Sequence, residues 1–360
     1  DSRAAWLAAT GPAVGATLTT VERDGAVEID TPFGPIPQQP ESQIDAGVDA
    51  SLPLLRAQGW AEASAATAAS KAARDQADRR IQDQQRQVAA LVFDLWTLDA
   101  QRDAAQAFAD SLQAVSTRLQ EQEDQGLVVP ADRLRAEVAF LGADQDVFAL
   151  DQQRQVLQLQ LGALLGRDGP VDVTPSTTES ATAPTDRLDL AAIDHQLDAL
   201  ARQRTALALG WVPELELYGR ALYSDNEALV DDTWLEGGLR ATWTPLARGT
   251  RIPRIASVSA QRRSAAAQRR ALELQIDVDV QRAAAGLRTA ERGVDVRRRA
   301  LVQAEQAAEV VDDRYAQGLA TLTDLLQVQA ERRRAQAALR TAEIDVQRQQ
   351  VEDRWARGIL

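Results

Sequence analysis

The residues best suited to chemistry are few, and most lack companions. His195 is the only histidine and stands beside Asp194. A carboxylate-held imidazole can act as a general base, but only with a nucleophile or substrate group near it. No cysteine, second histidine or glycine-rich phosphate loop accompanies the pair. Asp231-Asp232 and Asp312-Asp313 read as solvated acid pairs. Hydrolytic, redox and nucleotide chemistry therefore have no constellation here, and the chain is expected to be no enzyme, with no cofactor and no metal site. Asp132, Tyr315 and Asp324 are left, beside glycines at 126 and 318. Both acids fall at a helix start, where offsetting the N-terminal dipole is a sufficient structural reason for a carboxylate. Tyr315 is either a packing residue or a hydroxyl donor at the turn.

The turns themselves carry more. "RYAQGLATLTDLLQVQ" (314–329) and "DQGLVVPADRLRAEVA" (124–139) share a skeleton: Gly126 and Gly318, like Asp132 and Asp324, are 192 positions apart. The same offset relates Leu52-Pro53-Leu54 to Thr244-Pro245-Leu246, Val88 to Val280, and Leu95 to Leu287. A period this long is no solenoid; it is one large unit made twice. The first repeat is placed at 1–192 and the second at 193–360, the two forming one intertwined whole.

Each repeat reads as two strands, a long helix and a return leg. Val88, Leu91, Val92 and Leu95 recur on one helical face over 54–125, and Ala, Gln, Arg and Glu fill the rest. Seventy such residues would span roughly 105 Å, more than a globular domain needs. The return helix is expected over 130–165 with Gly166 at its end, then a loop over 166–186 and a shorter helix over 188–210. The second repeat should hold helices over 254–316 and 322–357. Four segments switch to period two, over about 13–22, 43–52, 213–223 and 234–244. Each strand has one apolar and one charged face, although the first fits less cleanly. That suits strands of a membrane barrel, with half-buried hairpins of a soluble domain as the rival. Trp211, Trp234 and Trp243 flank the strands as an interfacial belt would, or as core residues would. Four strands cannot close on themselves, and an open edge cannot sit in lipid, so several chains must share one barrel.

Composition agrees. Forty basic against fifty-three acidic residues give a net charge of −13, poor for nucleic acid or an anionic lipid surface. No apolar run reaches the roughly 18 residues of a spanning helix, which leaves barrel strands open. The chain has no Met, which reads as a processed or trimmed product. Only eleven residues precede Pro12, whereas helix 188–210 precedes Pro213, so a helix's worth of chain is expected upstream. Any lipid anchor or signal peptide is thereby out of reach.

With these features together, the chain resembles the TolC-like outer-membrane efflux and secretion channels over essentially its whole length. The most specific residues are Tyr315-x-x-Gly318-Leu319 with Asp324, and Gly126-Leu127 with Asp132; "TPLARG" (244–249) resembles the family's exit from the last strand, with Arg248-Gly249 in place of two glycines. The resemblance implies a mainly α fold with a membrane β-barrel part. Long antiparallel helical hairpins would form a periplasmic tunnel, and three chains would share a 12-strand barrel. It implies an outer-membrane exit duct of a tripartite efflux pump or type I secretion system, working with a periplasmic adaptor and an inner-membrane pump. It also implies that Asp132 and Tyr315 are hydrogen-bonded gate partners and that Asp324 lines a three-fold constriction. Two departures stand against the pattern: Ala320 replaces a basic residue, and Gln327 replaces a second acid. The alternative is a soluble coiled-coil periplasmic adaptor or scaffold.

Overall fold

Good helix formers without interruption give two helices of unusual length, α2 (Ala57–Asp124) and α5 (Arg251–Ala316), of 68 and 66 residues. The structure is a computed structural model and describes residues 2–25, 27–32, 34–39, 42–126, 128–173, 187–225, 231–244 and 249–359. Before α2 come α1 (Ser2–Thr10), β1 (Ala13–Glu22), β2 (Val27–Thr31), β3 (Gly34–Gln39) and β4 (Ser42–Leu55). After it come α3 (Pro130–Leu164), α4 (Leu188–Leu209), β5 (Glu214–Ser224), β6 (Thr233–Thr242), then α5 and α6 (Leu322–Arg357). Every expected helix and strand is present to within a few residues. Two features go beyond expectation: α1, and the β2–β3 hairpin between the first two expected strands. Leu127, most of the 166–186 loop and most of the "TPLARG" exit lie outside the described residues.

The packing units do not follow the repeats. One unit joins Asp1–Ala77 to Leu188–Leu272, the other Asp78–Arg187 to Glu273–Leu360, so each draws on both halves of the chain.

The first unit holds a four-stranded antiparallel sheet in the order β1-β4-β5-β6, with β2–β3 as a separate hairpin. Its register is continuous over β1 and β6; β4 bulges between Pro53 and Leu55, because proline cannot donate to the ladder. On the helices of the same unit, His195 Nε2 lies 3.6 Å from Asp75 Oδ2, and Asp194 accepts two bonds from Arg269. His195 thus meets a structural acid.

The second unit is helical. Ala105, Ala109, Leu112, Ala143 and Val147 form one buried cluster between α2 and α3. The end of α6 is pinned at Trp355, whose Nε1–H donates to Asp83 at 2.9 Å while the Arg79 and Arg86 guanidiniums lie 4.5 and 3.9 Å from its ring. No helix among the described residues is long and apolar enough to cross a membrane.

Candidate functional site

Two places in the chain bring the singled-out residues together: the helix reversals of the second unit and the sheet of the first. At the reversals, both glycines adopt the left-handed conformation that L side chains disfavour, Gly126 at φ 71° and Gly318 at φ 73°. Gly318 closes α5 as a Schellman motif: its N–H donates to Tyr315 O at 3.0 Å, and Leu319 N–H reaches back to Arg314 O at 2.8 Å. That pair of bonds satisfies carbonyls that would otherwise be orphaned and turns the chain at once.

The two return helices start differently. Thr321 caps α6 in a reciprocal box: its hydroxyl accepts from Asp324 N–H, and Asp324 Oδ2 accepts from Thr321 N–H at 3.0 Å and from its hydroxyl at 2.7 Å. These bonds, the hydroxyl's first, hold the Asp324 carboxyl below the usual carboxylate range. At the equivalent place in the first repeat stands Val129, which offers no side-chain cap. There Pro130 pre-sets the first helical residue, and Asp132 sits in the first turn with Arg135 3.6 Å away. Both acids therefore fill the helix-start role within the chain.

Four helices converge here. Leu119, Ala136, Leu322 and Leu325 are buried together, and Tyr315 packs against them. Burying each of these leucines contributes about 1.5–3 kcal/mol. Tyr315 is half-buried; burial, then the Asp132 charge, push its phenol above the ordinary value, while the Arg118 charge pulls the other way. Among the described residues no hydrogen bond joins Tyr315 to Asp132. The hydroxyl is near that carboxylate and in its field without being tied to it. Arg118 and the Glu123–Arg133 pair are functional candidates that sequence reasoning passed over. The 192-residue offset would have found the pair, since it sets Glu123 against Tyr315 and Arg133 against Leu325. Asp312 is tied within the chain: both its oxygens accept from Gln329 Nε2, at 2.9 and 3.0 Å. No group of three or more His, Cys, Asp or Glu among the described residues is placed to hold one.

The sheet has two unlike faces. Cross-strand partners Ala16, Val48, Ala221 and Leu235 lie on one, as do Leu18, Ala46 and Tyr223. Leu18 is 74% exposed and Leu235 83%, which no soluble sheet sustains without a cover. The first strand puts Val14, Ala16 and Leu18 on the apolar face, but Thr20 joins them and Val21 lies on the other, so its alternation stays the least regular of the four. The opposite face carries charge: Arg220 sits 3.9 Å from Glu236, and Arg240 2.9 Å from Glu216, its guanidinium 4.4 Å from the Tyr218 ring. Glycines make room there. A Cβ on Gly15 would lie 2.8 Å from Asp49 Oδ1, so that carboxylate lies flat over it.

The three tryptophans separate. Trp243 Nε1–H donates to Trp211 O at 3.0 Å, and Arg251 lies 5.1 Å from the Trp211 ring, so these two meet at one end of the sheet. Trp243 continues the apolar alternation of β6. Trp234 pairs with Leu222 and shares its face with Glu236 and Arg240. The aromatic on the apolar face at that end is Tyr223, opposite Thr233. About ten residues separate the Tyr223 level from Trp243. At about 3.3 Å each and a tilt of about 35–45°, they cover about 23–27 Å, the height of an outer-membrane apolar band.

A protein-family model described as Outer membrane efflux protein matches residues 8–167 and 182–352. No curated protein matches the sequence. Among solved structures, the outer membrane protein VceC from Vibrio cholerae is similar at TM-score 0.79 and 17% identity, over 99% of this chain and 89% of that one. The CmeC outer membrane channel of Campylobacter jejuni is similar at TM-score 0.79 and 13% identity, over 99% and 79%. The open-state MtrE outer membrane channel of Neisseria gonorrhoeae is similar at TM-score 0.78 and 17% identity, over 99% and 82%. At such identities the likeness is one of fold.

Proposed function

Because this chain belongs to the outer membrane efflux protein family, we propose that three copies of it close one 12-strand barrel and one helical tunnel, which together form a passive exit duct. Members of the family are outer-membrane channels that act in tripartite efflux pumps, and the soluble-adaptor alternative is set aside on that ground. One observation carries the trimer. The sheet exposes a continuous apolar face, and among the described residues β1 and β6 are each hydrogen-bonded on one side only. Unpaired strand edges are untenable in lipid, and three four-stranded sheets joined edge to edge remove them.

In this reading the apolar face meets the lipid, with Trp211, Trp243 and Tyr223 at the two interfaces. Trp234, on the other face, turns inward. The reversals at Gly126 and Gly318 form the periplasmic tip, where Asp132, Tyr315 and Asp324 surround the narrowest opening. A periplasmic adaptor and an inner-membrane pump engage that end. The two sequence repeats, 1–192 and 193–360, are the duplicated unit from which the barrel and tunnel are both built. Reconstitution into a planar bilayer tests the duct: discrete ion-conducting steps are expected, and a protein that partitions into membranes without conducting contradicts it.

A further inference from the structure

Helix α3 is apolar on two opposite sides. Ala136, Ala143, Val147 and Leu161 are buried against their own chain. At about 3.6 residues per turn, Leu134, Val138, Leu141, Phe148, Val156 and Leu159 fall on the other side. All six are exposed, Val138 at 69% and Phe148 at 58%. They keep the three- and four-residue steps of a coiled-coil seam, with Gln145 and Gln152 at two of its positions. The seam runs for roughly 38 Å. A helix apolar on both sides needs cover on both, and an apolar strip this long is not left to water.

Contacts within the second unit show which sides are unclaimed. α3 packs on α2, where Arg102 meets Asp151 and Arg154 meets Asp99. α2 packs in turn on α6, where Trp355 meets Asp83, and α6 on α5, where Gln329 meets Asp312. α3 also touches α6 directly through Asp146 and Arg333, on a side away from the seam. The far sides of α3 and α5 are therefore the two ends of this series. α5 has a matching far side: Ala283, Ala290 and Ala308 are buried against the chain, and Val296 and Val310 are exposed opposite them.

The two far sides also match in level and charge. Both reversals lie at one level, since Leu119, Ala136, Leu322 and Leu325 are buried together. Counted from them, Leu134 stands as far after Gly126 as Val310 stands before Gly318, and Phe148 and Val296 repeat the match. Asp144 lies on α3 between Leu141 and Phe148, and Arg299 on α5 lies within one residue of the same level. Both are exposed, and among the described residues neither has an ionic partner.

We propose that the far side of α3 in one copy packs against the far side of α5 in the next, with Asp144 facing Arg299 of the neighbouring copy. The contact rests on the reading above that three copies close one helical tunnel. It seals the tunnel wall between copies, as the strand edges seal the barrel.

Disulfide trapping tests the contact. The chain has no cysteine, so Phe148→Cys with Val296→Cys gives each copy one thiol on either side of the seam. A disulfide needs Cα atoms within about 7 Å of each other. Oxidation in mild detergent should link chains in twos and threes on a denaturing gel. Phe148→Cys with Val278→Cys, on the same side but far along α5, should not link. Asp144→Arg added to the first pair should slow linking by about twofold to fivefold, and Arg299→Asp added to that should restore it. A particle of three chains that forms no link between these positions, or links them only within one chain, overturns the contact and leaves the duct standing. Thiols open to maleimide in that particle would assign the α3 side to a different protein. A particle of one chain overturns the trimer, and the seam with it.

Discussion

Arg133 Nε donates to Glu123 Oε2 at 2.5 Å across the α2–α3 reversal, and the residues 192 positions on, Leu325 and Tyr315, meet in an apolar cluster instead. The same two positions thus hold one hairpin by charge and the other by burial. Charge is screened by salt and burial is not. Raising salt, or replacing Glu123 with Gln, should speed amide exchange around 120–134 by about twofold to fivefold, the range for an ion pair in contact with water, and leave 312–326 unchanged. Equal loosening of both reversals would contradict the distinction.

In the proposed gate Tyr315 would act through its ring. Its hydroxyl makes no hydrogen bond among the described residues, whereas its ring packs on Leu119, Ala136, Leu322 and Leu325. Tyr315→Phe should therefore leave resting conductance in a planar bilayer near that of the parent, and Tyr315→Ala should raise it severalfold. Because the phenol is raised above its ordinary value, chiefly by burial, its contribution is fully present below the unfolded value near about 10 and is lost only as pH rises through the folded one. Resting conductance governed by Tyr315 should be flat from about pH 6 to 9. A Phe variant as leaky as the Ala variant would place a hydrogen bond between chains.

Asp324 tests the electrostatics of the opening. Thr321 holds its carboxyl low, so the stability that its box contributes is present above about pH 4 and fades as pH falls through the folded value. Asn at this position keeps an oxygen for the Thr321 N–H and removes the charge alone. In the proposed trimer three Asp324 carboxylates would surround a narrow opening, and such a ring favours cations. Reversal potentials under a KCl gradient should show most cation preference lost in Asp324→Asn, with thermal stability lowered slightly, because the charge itself strengthens the Thr321 box. Retained preference would move the narrowest point elsewhere.

The glycines can be weighed against each other. A Cβ on Gly126 or Gly142 would meet nothing within 4 Å, so neither substitution adds a clash. Only Gly126 has positive φ. Gly126→Ala should cost about 1–2 kcal/mol in denaturant unfolding through backbone strain, while Gly142→Ala, inside α3, should stabilise by about 0.5–1 kcal/mol. Changes of the same sign in both would remove the turn argument.

Most of the architecture was legible because its causes are local. A helix of Ala, Gln, Arg and Glu needs no partner to be recognised, and Gly126 and Gly318 mark the reversals because a positive φ selects glycine. The β2–β3 hairpin was not legible: Pro35 and Pro37 lie in β3, and proline argues against a strand except at an edge. Trp234 was grouped with Trp211 and Trp243 by its place near a strand end, yet its register with Leu222 puts it on the charged face. Asp132 and Asp324 were found through the repeat, and the same offset sets Val129 against Thr321, but that Thr321 closes a reciprocal box with Asp324 shows only in the structure. The tip cluster needs four helices together, and no window of sequence contains it.

The central claim is that the edges of β1 and β6 are completed by other copies of the chain. Light scattering in mild detergent measures this most directly. The account predicts a particle of three chains, three times the 39.1 kDa of one, stable to dilution. A monodisperse single chain with full helix and strand content would contradict it.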